Sequence, residues 1–122
     1  MTFEKEILET QKELVKLGHI VEMPYFTEKL IGKDAHDELK FEKDLIKHYF
    51  KEIKKSDAAL ILNLEKNEIK NYIGGNTFLE MSFAYVLEKK IFLYNPIPKM
   101  SYTSEIQAMR PIIINGDLSK IK

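Results

Sequence analysis

The sequence predicts an α/β domain built on a parallel sheet, and three observations lead there. Segments of helical period alternate with short apolar segments of strand length along the whole chain, helix then strand, four times over. Two of the strand-length runs, Ala58-Ala59-Leu60-Ile61-Leu62-Asn63 and Lys90-Ile91-Phe92-Leu93-Tyr94-Asn95, show no polar alternation, the pattern of strands covered on both faces. Glycine, proline and short polar breaks punctuate the alternation, and strands joined through helices pair in parallel by right-handed crossovers.

Phe3, Ile7, Leu14 and Val15 recur at helical spacing among charged residues and predict an amphipathic helix to Leu17, with Gly18 as its left-handed cap. His19-Ile20-Val21-Glu22-Met23 reads as a short strand stopped by Pro24. Tyr25 to Asp37, with Gly32 inside it, reads as a loop. Leu39 to Lys55 predicts a second helix, with Phe41, Leu45, His48, Tyr49 and Ile53 at spacings of three and four, broken at Ser56-Asp57. The first apolar run follows, then a polar loop from Leu64 to Gly75. A third helix is expected from Thr77 to Glu88, a strand over Lys90–Asn95 closed by Pro96-Ile97-Pro98, a short helix from Ser101 to Arg110, and a last strand at Pro111–Ile114. A domain of this kind ordinarily begins with a strand, whereas this chain opens in a helix, so the strand expected at His19 lacks its natural neighbour.

At 122 residues the chain is expected to form one domain, 1–122. Hydrophobic residues at 44% and charged residues at 31% argue against disorder. Lys+Arg and Asp+Glu both number 19, so the overall charge gives no reason to expect nucleic acid as a partner. Cysteine is absent, which removes disulfides, thiolate metal sites and a cysteine nucleophile. With no apolar run of membrane length and no signal-peptide pattern, a cytoplasmic protein without a membrane partner is expected.

The chemistry concentrates in Tyr72-Ile73-Gly74-Gly75-Asn76-Thr77-Phe78-Leu79-Glu80-Met81-Ser82-Phe83-Ala84-Tyr85-Val86-Leu87, a glycine turn running into a helix. Glu80 is its one carboxylate, and Phe83, Ala84 and Leu87 share its face. A helix apolar on every side is normally buried, and a carboxylate on it must be paired, neutralised, exposed at a cleft or used. Thr77-Phe78-Leu79-Glu80 also fits a capping box, in which Glu80 would only reach back to the Thr77 N–H. Other candidates have plain structural roles at hand. Gly74-Gly75 alone is an ordinary turn, His48 sits among packing residues, and His19 and His36 lack metal-ligand spacing, so no metal is expected.

The run Ser56–Asn63, the stretch Tyr72–Val86 and Lys90–Pro96 together resemble the nucleoside 2-deoxyribosyltransferase-like superfamily, which also holds deoxynucleoside-monophosphate N-glycosidases. The resemblance covers Phe3 to Leu118 and implies a flavodoxin-like doubly wound parallel sheet, here without the usual first strand. It implies Glu80 as catalytic nucleophile and no cofactor. It also implies a homo-oligomer and a small nucleoside or nucleotide substrate. The chain departs from the family's pattern at Asn76 and Phe78, where many members carry a Gly-x-Gly, at Ser82, where glycine is common, and at Tyr49, where a base-contacting aspartate falls.

Breaking an N-glycosidic bond builds positive charge on the anomeric carbon, which a carboxylate can stabilise and capture before water or a second base takes the sugar. The carboxylate must be ionised, which a place in the first helical turn would favour. The substrate-binding candidates are therefore Gly75, Asn76 and Thr77 at the turn, Tyr72 as a stacking ring and Asn95 at the end of a central strand. The rival expectation is a non-catalytic nucleotide-binding module on the same fold.

Overall fold

The computed structural model describes residues 4–21, 46–66 and 68–121, divided into two compact units between Tyr49 and Phe50. In the first unit, α1 spans Glu4–Lys16. Leu14 is buried, whereas Val15 and, just past the helix end, Leu17 are half exposed. Gly18 closes it at φ 95°, and the His19 N–H donates back to the Leu14 carbonyl at 3.1 Å, the cap the sequence predicts. The strand expected at His19–Met23 is corrected in part: residues 19–21 form no strand and Ile20 is 96% exposed. A strand needs a paired neighbour to be stable, and no described residue pairs with this one. Glu22 and Met23, the loop at Tyr25–Asp37, His36, and the first part of the helix expected from Leu39 lie outside the described residues. Residues 46–55 are helical and are called α2.

The second unit is α/β, a small open parallel sheet of three strands with helices against it. The strands are β1 (Ala58–Ile61), β2 (Lys90–Leu93) and β3 (Ile112–Ile113), in the order β1-β2-β3. Helix α3 (Gly75–Val86) crosses from β1 to β2, and α4 (Thr103–Ala108) from β2 to β3. The register sets Ala59 beside Ile91, Ile61 beside Leu93, and Leu93 beside Ile113, so these residues share one face. On that face they form one cluster with Met81 and Ala84 of α3, Ile106 of α4 and Ile53 of α2. Full burial of each large side chain here stabilises the unit by roughly 1.5–3 kcal/mol. Phe50 and Phe83 add an edge-to-face pair at 5.4 Å.

The strands are shorter than the apolar runs suggest, yet parallel hydrogen bonds continue past them. Tyr94 N–H donates to the Ile61 carbonyl and Ile114 N–H to the Leu93 carbonyl, both at 2.9 Å. The loop after β1 folds back as a small hairpin in which Lys66 and Ile69 exchange both backbone hydrogen bonds. Among the described residues no helix is long and apolar enough to cross a membrane. A 3₁₀ turn, Leu118–Lys120, ends the described chain.

Candidate active site

Helix α3 begins at Gly75 and not at Thr77. Gly74 is its cap, in extended conformation at φ −77°, and among the described residues no side chain makes the capping hydrogen bond. A side chain at Gly74 would crowd Tyr72, whose Cε2 would lie 3.2 Å from a Cβ there. Glycine lets the backbone pass that ring, and the Phe78 N–H then closes the first turn on the Gly74 carbonyl at 2.9 Å. The N–H groups of Gly75, Asn76 and Thr77 have no acceptor among the described residues.

This start corrects two expectations. Thr77 is not the cap, so there is no capping box for Glu80 to complete. Nor does Glu80 stand in the first turn, which holds no acidic residue. It lies six residues past the cap, about 9 Å along the axis, beyond the reach of the terminal partial charge. The helix is not buried all round either: Tyr85 and Val86 are 52% and 75% exposed. Glu80 instead occupies the inward side, where Ala84 is fully buried and Phe83 and Leu87 pack on the core.

Glu80 is itself half-buried. Loss of water raises its pKa from 4.5 to about 7, with no charge or hydrogen bond from the described residues to offset it. The expectation of a fully ionised carboxylate at neutral pH is therefore corrected to one near its midpoint. Asn76 and Thr77 lie one turn before Glu80 on its own face. The structure thus brings Gly75, Asn76, Thr77 and Glu80 onto one stretch of α3. Ser82 is excluded from chemistry by its own helix, since its hydroxyl donates to the Phe78 carbonyl at 2.9 Å.

Tyr72 borders the turn as expected. Its ring packs beside Gly74, and Lys66 Nζ stands 5.7 Å from the ring centre. Asn95 has a structural task that sequence reasoning did not assign. Its backbone N–H donates to Asn63 Oδ1 at 2.8 Å, and its Nδ2 donates to the Asn63 carbonyl at 3.0 Å. Asn63 Nδ2 donates in return to the Asn95 and Pro96 carbonyls, at 2.8 and 3.0 Å. Asn63 is fully buried, and the two asparagines clamp the chain just past the carboxyl ends of β1 and β2. The signal for Asn63 is present in the sequence, where both central apolar runs end in asparagine.

A second residue missed from sequence is Tyr102, at the cap of α4. Its hydroxyl donates to the buried Ile73 carbonyl and its ring lies 4.7 Å from that of Phe78. Burial, then the neighbouring Tyr72 phenol, push its pKa above the usual tyrosine value, so it stays a donor at neutral pH. Nothing in the local sequence marks a partner 29 residues away.

An open depression of about 490 Å³ lies along α1 in the first unit, lined by Lys5, Leu8, Glu9 and Lys12 and by none of the candidate site residues. Among the described residues no cluster of three or more histidine, aspartate or glutamate side chains is placed to hold a metal ion. Comparison with family models, with curated proteins and with solved structures gave no match to this chain.

Proposed function

We propose that the protein cleaves or transfers at the N-glycosidic bond of a 2′-deoxynucleoside or its 5′-monophosphate, with Glu80 as nucleophile. The observation that carries this reading is Glu80 itself, desolvated on an apolar helix face without a partner among the described residues, six residues beyond a glycine cap. A carboxylate held away from water gains more from a cation developing beside it than one in solvent. The ionised fraction of Glu80, its proton already given to solvent, would be stabilised by the forming oxocarbenium, and its attack would form the C–O bond as the C–N bond breaks, giving a glycosyl-enzyme released by water or a second base. The base leaves with the bonding electron pair. Asn76 and the N–H groups of Gly75 and Thr77 would hold the sugar or phosphate, and Tyr72 would stack on the base. In this reading the three-stranded sheet belongs to a flavodoxin-like doubly wound arrangement in a cytoplasmic homo-oligomer, and no cofactor takes part.

The rival reading is a non-catalytic nucleotide-binding module on the same fold. A base-release assay separates the two. The full chain is incubated with deoxynucleosides and their 5′-monophosphates, with and without a second free base, beside Glu80→Gln. The glycosyl reading expects release or exchange, reduced on the order of a thousandfold or more in the variant. Because the ionised form attacks, the rate should rise with pH through about 7. Binding without turnover, unchanged by Glu80→Gln, would establish the binding module instead.

A further inference from the structure

The segment after β2 returns past the glycine turn before it enters α4, and it is stiff. Thr103 Oγ1 accepts from the Met100 N–H at 2.7 Å and lies 2.7 Å from the Pro98 carbonyl, to which it donates. Pro98 is fully buried. Tyr102 therefore projects from an anchored support. Its two contacts bracket the start of α3. The hydroxyl holds the carbonyl of Ile73, the residue before the Gly74 cap, while the ring meets Phe78, whose N–H closes the first turn.

The geometry points to Tyr102 as a positioning residue that fixes residues 73–78 and so sets where the unpaired N–H groups of Gly75, Asn76 and Thr77, and Glu80 one turn on, face a ligand. For the nature of that ligand this rests on the glycosyl reading of Glu80; for the geometry it does not. Ile73 is buried, so losing the hydroxyl leaves its carbonyl without a donor and loosens the turn. A helix start without a side-chain cap depends on such outside support more than a capped one does.

The test is Tyr102→Phe in the full chain, which removes the hydroxyl and keeps the ring on Phe78. Amide exchange by NMR is read at Phe78, at Leu87 near the far end of α3, and at Tyr94 on the sheet. The expected result is exchange about tenfold faster at Phe78, the worth of one hydrogen bond, with Leu87 and Tyr94 unchanged. The Glu80 carboxyl is titrated in the same samples, and its midpoint should fall from about 7 toward 4.5 as water gains access. Equal acceleration at all three amides would make Tyr102 a general stability residue and overturn the proposal. Faster exchange at Phe78 with an unmoved Glu80 midpoint would overturn it too, leaving only a clasp on the turn. Should Tyr102→Phe fail to fold, Phe78→Leu disturbs the other half of the bracket, and an unmoved Glu80 midpoint there refutes the role. A wild-type chain that releases no base refutes the glycosyl reading alone, because exchange and titration still decide Tyr102.

Discussion

Replacing Glu80 by glutamine should stabilise the fold while abolishing its proposed chemistry, and the pH at which it does so is fixed by the structure. In the unfolded chain Glu80 titrates near 4.5, and in the folded chain burial moves it to about 7. The folded state therefore binds the proton more tightly. Stability from this group is fully present below about pH 4.5 and is lost as pH rises through about 7. At about 1.4 kcal/mol per pH unit, the whole loss is roughly 3 kcal/mol, of which about 2 kcal/mol falls between about pH 5.5 and about pH 8.5. Glutamine has nearly the same shape and no charge to desolvate, so the variant escapes this loss. Urea denaturation of both proteins at several pH values measures it, with the histidines and other carboxylates cancelling in the difference. With slopes of about 1–3 kcal/mol/M, the wild-type midpoint should fall behind the variant's by on the order of 1 M at the alkaline end. Parallel stability curves, differing by less than about 0.5 kcal/mol across the range, would show that Glu80 is not desolvated and would remove the physical basis of its proposed role.

Two further substitutions test the frame around that site. Asn63→Ala orphans the Asn95 N–H and the Asn95 and Pro96 carbonyls, and should cost roughly 2–4 kcal/mol in denaturant titration, whereas Asn95→Ala removes one donor and should cost about 1 kcal/mol. Equal costs would deny the buried asparagine its leading part. Glu88→Gly relieves a side chain held at φ 59° just past α3, and should raise stability by roughly 0.5 kcal/mol, read as a higher midpoint in thermal unfolding.

From residue 46 onward the alternation of helix and strand was legible because it rests on periodicity, and so was the cap at Gly18, where the sequence supplies the residue the backbone needs; the strand expected at His19 was not formed, because its apolar run has no described partner. The ends of α3 and α4 were not legible. Each helix is followed by a non-glycine residue at positive φ, Glu88 at 59° and Arg110 at 52°, a conformation without a compositional sign. The Lys89 N–H still returns to the Ala84 carbonyl at 2.8 Å, so the capping geometry at α3 forms on a non-glycine residue. The start of α3 misled for the opposite reason. Thr77 with Glu80 has the spacing of a capping box, but Gly74 and Gly75 let the chain turn helical earlier, and Tyr72 fills the space that a larger residue at Gly74 would need. That Glu80 stands on an apolar helix face could be read from its neighbours in the sequence. Its raised pKa could not, because that depends on how far the folded chain shields it from water.

The polar groups at the carboxyl edge of the sheet divide into two kinds. Asn63, Asn95, Thr103 and Tyr102 spend their hydrogen bonds on backbone groups and hold strand ends, loop and helix start together. Glu80 spends none on the described residues and is held at a loss. Glu80 is thus a desolvated carboxyl inside a frame whose own polar groups are satisfied. The frame and the desolvated group should therefore respond to different perturbations. Loss of the asparagine clamp lowers stability at every pH, because amides do not titrate, while loss of Glu80 raises it progressively above about pH 4.5, where the carboxyl ionises in the unfolded chain. If the two variants are combined, their effects at about pH 8.5 should add to within about 0.5 kcal/mol. Strong coupling between them would mean that the clamp itself shapes the environment of Glu80, and the edge would then act as a single unit.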